Sequence, residues 1–198
     1  MSPARGRGRP RDPAVDAAIL RAAYDLFLQR GIDGASIEQI AKRADVGKLT
    51  VYRRWSSKEE LVAQAIEAAV EQADWPSNDR LAAMSVRELA ERTLDQQAET
   101  AASPEFRTLV ARIFGAGVSH PSLMQAYWTH YIVPRRKATA ALLEQAKTDG
   151  TLPGDTDVEV LIDMMAGAVI YRVLQPDPPG AAEMRRYLHA LYHQAGLL

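Results

Sequence analysis

The sequence predicts an all-α protein, with a three-helix helix-turn-helix domain at the N-terminus followed by a larger helical bundle, about nine helices in total. Three observations carry this. Apolar residues recur at helical spacing through most of the chain, and no alternating run competes as a strand. Ser or Thr stands three residues before Glu or Gln at the start of several of these stretches, the signature of a capping box. Gly and Pro fall between them, where helices stop. With 198 residues, 47% hydrophobic and 25% charged, the chain can bury a core and does not have the composition of a disordered polymer.

In chain order, Asp12-Pro13 starts a first helix whose stripe is Ile19, Ala22, Ala23, Leu26 and Phe27, stopped by Gly31. Ser36 and Gln39 cap a helix of about two turns carrying Ile37, Ile40, Ala41 and Ala44. A break at Asp45-Val-Gly47 leads into a short helix from Lys48 to Trp55. Ser57 and Glu60 open a longer one with Leu61, Val62, Ala65, Ile66 and Ala69. Trp75-Pro-Ser-Asn-Asp79 interrupts the pattern. Further helices are expected at roughly 85–102, 104–116, 121–148, 156–174 and 180–196, the fourth capped by Thr156 and Glu159.

Composition excludes several chemistries. Without cysteine there is no disulfide framework, thiolate zinc site, iron–sulfur cluster or cysteine nucleophile. No apolar run reaches the roughly 20 residues of a membrane helix, and the N-terminus lacks the apolar segment of a signal peptide, so a cytoplasmic protein without membrane partners is expected. His189 and His193 share a helix face at metal-ligand spacing, but no carboxylate is well placed beside them, and no metal is expected. Nucleophile-elbow, phosphate-loop and zinc-protease patterns are missing, so the chain reads as no enzyme and as needing no cofactor.

The net charge of −1 hides a split. Residues 1–60 hold twelve Lys/Arg against eight Asp/Glu, and the remainder holds twelve against seventeen. A basic front on an acidic body suits a polyanionic partner. Arg5, Arg7, Arg9 and Arg11 alternate with Gly, Ala and Pro in a segment read as a flexible arm. Arg7-Gly-Arg-Pro10 looks like an AT-hook core that enters a narrow minor groove; an arm held near phosphates by charge alone is the preferred reading.

In a helix-turn-helix the second short helix enters the major groove, which admits one helix and distinguishes all four base pairs. Lys48, Thr50, Tyr52, Arg53 and Arg54 can donate to bases or phosphates there, while Val51 and Trp55 anchor the inner face. Ser36, at a helix N-terminus, suits a phosphate. Lys58 opposes the helix dipole in the first turn of its helix, which makes sense if it faces a phosphate.

The ordered strings Ile37-Glu-Gln-Ile-Ala41, Ala44-Asp-Val-Gly-Lys48, Thr50-Val-Tyr-Arg-Arg-Trp55 and Ser57-Lys-Glu-Glu-Leu61 strongly resemble the N-terminal domain of the TetR family of transcriptional repressors. The resemblance covers about 50 residues and assigns DNA contacts to Ser36, Lys48, Leu49, Thr50, Tyr52, Arg53, Arg54 and Lys58. It makes Trp55, where the family usually has Phe, a core residue. Two positions depart from it. Gly47 stands where a Ser or Thr usually caps the recognition helix, and Leu49 replaces a small residue, favouring a thymine methyl if it points into the groove.

Residues 158–174 are apolar nearly all round, so that helix needs two neighbours. Pairing of the last two helices with their two-fold mates would satisfy both, and the resemblance implies the same; the interface is expected at Leu161, Ala168, Tyr187, Leu188, Leu191 and Tyr192. A monomer hiding that face within its bundle is the other arrangement. Pro134, inside the helix at 121–148, should kink it and free the His130 carbonyl beside Met124, Tyr127, Trp128 and Tyr131. With Phe106, Val110, Phe114, Met164, Met165 and Tyr171 facing them, these residues form either a pocket for a mainly apolar or aromatic ligand or an ordinary aromatic core.

The expected domains are an arm over 1–12, a helix-turn-helix domain over 13–75 and a ligand-binding and dimerisation domain over 76–198. The function the resemblance implies is a repressor that binds a palindromic double-stranded operator as a homodimer and is released by a small-molecule effector. An architectural protein using the arm on AT-rich DNA and a helical small-molecule binding protein are the rival readings.

Overall fold

The computed structural model describes residues 12–71 and 84–198. The four arm arginines and the Trp75–Asp79 break lie outside the described residues. Among the described residues there are helices and no strand, and no helix is long and apolar enough to cross a membrane. The described residues form nine helices when the pieces from Pro121 to Thr148 are taken as one bent helix.

α1 (Pro13–Gly34) starts where expected, with the Asp12 side chain accepting from the Ala14 N–H and Pro13 in the first turn. Its helical run breaks at Gly31, whose φ of 71° lies in the left-handed region that favours glycine. α2 (Ile37–Arg43) carries the full capping box. The Gln39 N–H donates to Ser36 Oγ at 3.2 Å, and the Ser36 N–H donates to Gln39 Oε1 at 3.3 Å. Ser36→Ala is therefore expected to lower stability by about 1 kcal/mol, read as a shift of the denaturant midpoint without a change in slope.

α3 (Lys48–Tyr52) is shorter than the Lys48–Trp55 helix read from the sequence. After Tyr52 the backbone closes in turns, the Arg54 and Trp55 N–H groups both donating to the Val51 carbonyl. α4 (Lys58–Glu71) is capped by Ser57 Oγ, which accepts from the Glu60 N–H. The expected reciprocal half is displaced: Glu60 reaches one residue further back, to the Ser56 N–H and hydroxyl.

α5 (Val86–Ala102) and α6 (Pro104–Ala116) follow the spacing closely. α7 consists of an α-helical Pro121–Tyr127, a π-helical turn Trp128–Ile132 and an α-helical Val133–Thr148. Pro134 has no N–H and would clash with the carbonyl four residues back. The chain answers with one wide turn, in which the Val133 N–H donates to the Trp128 carbonyl. The Tyr131 carbonyl, not that of His130, then accepts from Arg135 Nη1 at 3.2 Å. α8 (Val158–Val173) is capped by Asp157, one residue after the expected Thr156. α9 (Ala181–Gln194) ends the fold.

Packing divides into four apolar clusters. Ile19, Ile40, Val51, Trp55 and Leu61 centre the front three-helix unit. A second cluster joins front and rear, with Phe27, Ile32, Val62 and Ile66 against Leu109, Ile113, Leu123 and Tyr127. α5, α6, α8 and α9 share a third around Leu94, Val110, Val173, Met184 and Leu188. The fourth lies under α7 and α8, around Leu143, Leu152 and Ile162. Polar ties cross the same junction: Tyr24 Oη donates to Glu105 at 2.8 Å, Arg112 donates to the Gln29 carbonyl at 3.2 Å, and His120 Nε2 lies 3.1 Å from Asp33.

Candidate nucleic-acid interface

The front unit is built so that α3 has one face to anchor it and one to offer. Val51 is fully buried and Trp55, nearly so, donates its indole N–H to Gln64 Oε1 at 2.8 Å. The opposite face turns outward, with Leu49 71% exposed and Tyr52 and Arg53 exposed beside it. Lys48 opens the helix and lies 5.5 Å from the Tyr52 ring centroid. Gly47 supplies no side-chain cap, as its lack of a hydroxyl requires. The α3 N–H groups at that end are thereby left without a side-chain partner. Lys48, at the start of α3, donates to Glu38 in the first turn of α2.

Of the residues expected to meet DNA, the structure places Ser36, Lys48, Leu49, Thr50, Tyr52 and Arg53 on α3, beside it, or at the start of α2. Ser36 accepts the Gln39 N–H through Oγ, and its hydroxyl also meets the Glu38 carboxylate. Two of the expected residues, Arg54 and Lys58, make contacts within the chain. Arg54 is turned back onto α1, where its guanidinium pairs with Asp16 and donates to the Thr50 carbonyl at 3.1 Å. A carboxylate in the first turn of α1 and the open carbonyls ending α3 draw it there. Lys58 likewise donates to the Ile32 carbonyl at 2.6 Å. That contact satisfies an acceptor freed by the break at Gly31, so its position against the helix dipole has a structural cause.

Sequence reasoning passed over Glu38. Its carboxylate accepts from Lys48, ten residues on, and the contact holds Glu38 below the usual carboxylate range and Lys48 above its own. The available signal was its position: Glu38 stands on α2 away from Ile37, Ile40 and Ala41, and so faces outward with the recognition helix.

The residues expected around a ligand are not gathered into one cavity. Tyr127, with Met124 and Tyr131, belongs to the cluster joining front and rear. The Tyr127 and Tyr131 rings stack at 5.0 Å, Arg135 lies 3.9 Å over Tyr131, and burial raises both phenols above their usual value. Phe106 and Val110 pack in the third cluster and Met165 in the fourth. Phe114, Trp128, Met164 and Tyr171 are exposed. Periodicity marks these positions as apolar but does not say which neighbour covers each. A groove of about 600 Å³ between α1, α4 and α6, lined by Leu20, Tyr24, Ala65 and Glu105 among others, holds none of them.

The expected interface residues also divide. Leu188 is 2% exposed, and Tyr187, Leu191 and Tyr192 pack around the same internal cluster, so the stripe on α9 serves the chain's own core. Tyr187 Oη donates to the Ala168 carbonyl at 3.2 Å, and Tyr192 bonds to Gln97 with its phenol pushed up to about 12 by burial. Leu161 packs at the edge of the fourth cluster. What α8 leaves uncovered is a different stripe: Val160, Met164, Gly167, Tyr171 and Leu174, all exposed on one face.

Comparison with known proteins covers both halves of the chain. Residues 19–65 match the model described as bacterial regulatory proteins, tetR family, and residues 84–191 match the tetracyclin repressor-like C-terminal domain. The uncharacterized HTH-type transcriptional regulator YdeS of Bacillus subtilis is 35% identical over 170 residues, spanning 85% of this chain and 82% of its own. GusR of Salmonella enterica superposes with a TM-score of 0.70 at 22% identity, covering 98% of this chain and 99% of its own. The transcriptional regulator FadR of Bacillus subtilis, crystallised in complex with stearoyl-CoA, gives 0.67 at 14% identity, over 90% and 96%.

Proposed function

Since the chain belongs to the TetR family of transcriptional regulators, we propose that it is a repressor that reads a palindromic operator as a homodimer and lets go when a small molecule binds the rear bundle. The observation that carries this reading is the outward face of α3: Lys48, Leu49, Tyr52 and Arg53 stand together on a helix pinned from behind by Val51 and Trp55. The reading divides the chain into an arm, 1–12, a DNA-binding domain, 13–75, and a ligand and dimer domain, 76–198. The arginines of the arm add affinity along the backbone.

Two-fold pairing through the exposed stripe of α8 would set two recognition helices about one DNA turn apart, roughly 34–36 Å. That stripe, with Gly167 at its centre, offers a flat apolar surface on which a second copy can pack. An effector of mainly apolar or aromatic character suits a bundle whose α7 is already bent around stacked tyrosines. A protein of the same fold was crystallised with stearoyl-CoA, a ligand that includes a long apolar chain. Release follows if the effector binds the DNA-incompetent arrangement more tightly, because Tyr127 of α7 shares its core with Phe27 and Val62 of the front unit.

The test is to mix the protein with sheared DNA from its own source, recover bound fragments at about 0.15 M salt and sequence them, since loose electrostatic attachment is largely screened there. Sharp enrichment of an inverted repeat supports the proposal. Diffuse enrichment of AT-rich DNA, or none, overturns it.

A further inference from the structure

We infer that Glu38 determines specificity at the DNA-reading surface: paired with Lys48, it converts that lysine from a phosphate anchor into a reader of base edges. The inference rests on the DNA-binding reading above. Glu38 lies in the first turn of α2 and Lys48 is the first residue of α3, and the tight turn between the helices brings them into contact. The pair is a surface feature, with side chains 60% and 46% exposed, next to Leu49 and Tyr52.

A carboxylate in this position is unfavourable for simple attraction to DNA. It cancels the charge of Lys48 and repels phosphates within a Debye length, about 8 Å at physiological salt. Nor is it needed to hold α2 against α3. Ile37, Ile40, Ala41 and Val51 do that by burial, whereas exposed ion pairs add little to stability.

Its effect is on direction. A free lysine is a flexible point charge that any phosphate can take. Here the ammonium is bracketed by the Glu38 carboxylate and the Tyr52 ring. Of its three N–H groups, one goes to Glu38 and the Tyr52 hydroxyl draws on another, so one stays open to donate. Guanine O6 and N7 accept such donors in the major groove, and the carboxylate has acceptor capacity for the N4 amino group of cytosine. Both halves of the pair thus match a G·C base pair, and a phosphate matches neither the carboxylate nor a lysine whose charge is already paired.

The experiment uses the full chain with E38Q, K48Q and the double variant. Each is titrated over a salt series with the genomic fragment the wild type enriches most and with a scrambled fragment of equal length. E38Q should bind scrambled DNA more tightly, because the freed lysine gains one phosphate and the slope of log affinity against log salt steepens by about 1. The ratio of cognate to scrambled affinity should fall about tenfold, the value of one base contact. In the K48Q background the Glu38 substitution should change the ratio little, since both act as one unit. An E38Q ratio and slope equal to those of the wild type would overturn the inference, as would an undiminished effect of E38Q on top of K48Q. A wild type that binds without preferring its enriched fragment would overturn the DNA-binding reading as well, and so separates the two failures.

Discussion

Replacing Met164 with Glu is expected to split the proposed homodimer and, with it, the proposed operator binding. Met164 is 64% exposed in the single chain and sits in the middle of the uncovered α8 stripe between Val160 and Tyr171. The fold of the isolated chain has no reason to change. In a two-fold interface each substitution appears twice, and each buries an unpaired carboxylate against apolar surface. That penalty is at least several kcal/mol, enough to raise the dimer Kd by more than about a thousandfold. A monomer presents one recognition helix instead of two, so affinity for an inverted repeat should collapse while circular dichroism stays unchanged. Sedimentation at micromolar concentration checks this directly. A variant that still sediments as a dimer would show that copies meet elsewhere.

The largest loss of stability is expected from Phe27→Ala. Phe27 is fully buried in the cluster that joins α1 and α4 to α6 and α7. Truncating a buried Phe removes its transfer free energy and leaves a cavity, costing about 3–5 kcal/mol. Against a total of about 5–15 kcal/mol this is a large fraction, and the melting midpoint should fall by roughly 6–20 °C. Because the cluster holds both halves, front and rear should melt together at the lower temperature. Leu49→Ala, on the exposed face of α3, provides the contrast, with a midpoint close to wild type. Equal midpoints for the two variants would mean that Phe27 is not the link between the halves.

These two positions show where sequence periodicity was informative and where it was not. Phe27 was legible: it falls on the stripe Ile19, Ala22, Ala23, Leu26, Phe27, and a helix with one such stripe buries it. Met164 was not. It lies in a stretch apolar on every side, where spacing cannot say which face meets the chain's own core and which meets something else. The expectation therefore placed Met164 and Tyr171 in a pocket and Leu188 and Tyr192 at an interface, whereas in the single chain Met164 and Tyr171 are exposed and Leu188 and Tyr192 pack in or against an internal cluster. The same limit explains Arg54 and Lys58. Their charge and position suit a phosphate, but Asp16 and the Ile32 carbonyl, which capture them, are distant in sequence.

What the sequence determined by itself is local or ordered along the chain: the helices, most of their caps, the burial of Val51 and Trp55, and the strings that mark a helix-turn-helix regulator. Helix period and capping depend on residues three or four apart, so one sequence suffices to read them. The tertiary structure decided the rest. It gave the wide turn before Pro134, the cluster uniting Phe27 with Tyr127, the pairing of Glu38 with Lys48 and the face α8 leaves bare. Each depends on which helices become neighbours, a matter of filling the core without voids that no spacing along one chain encodes.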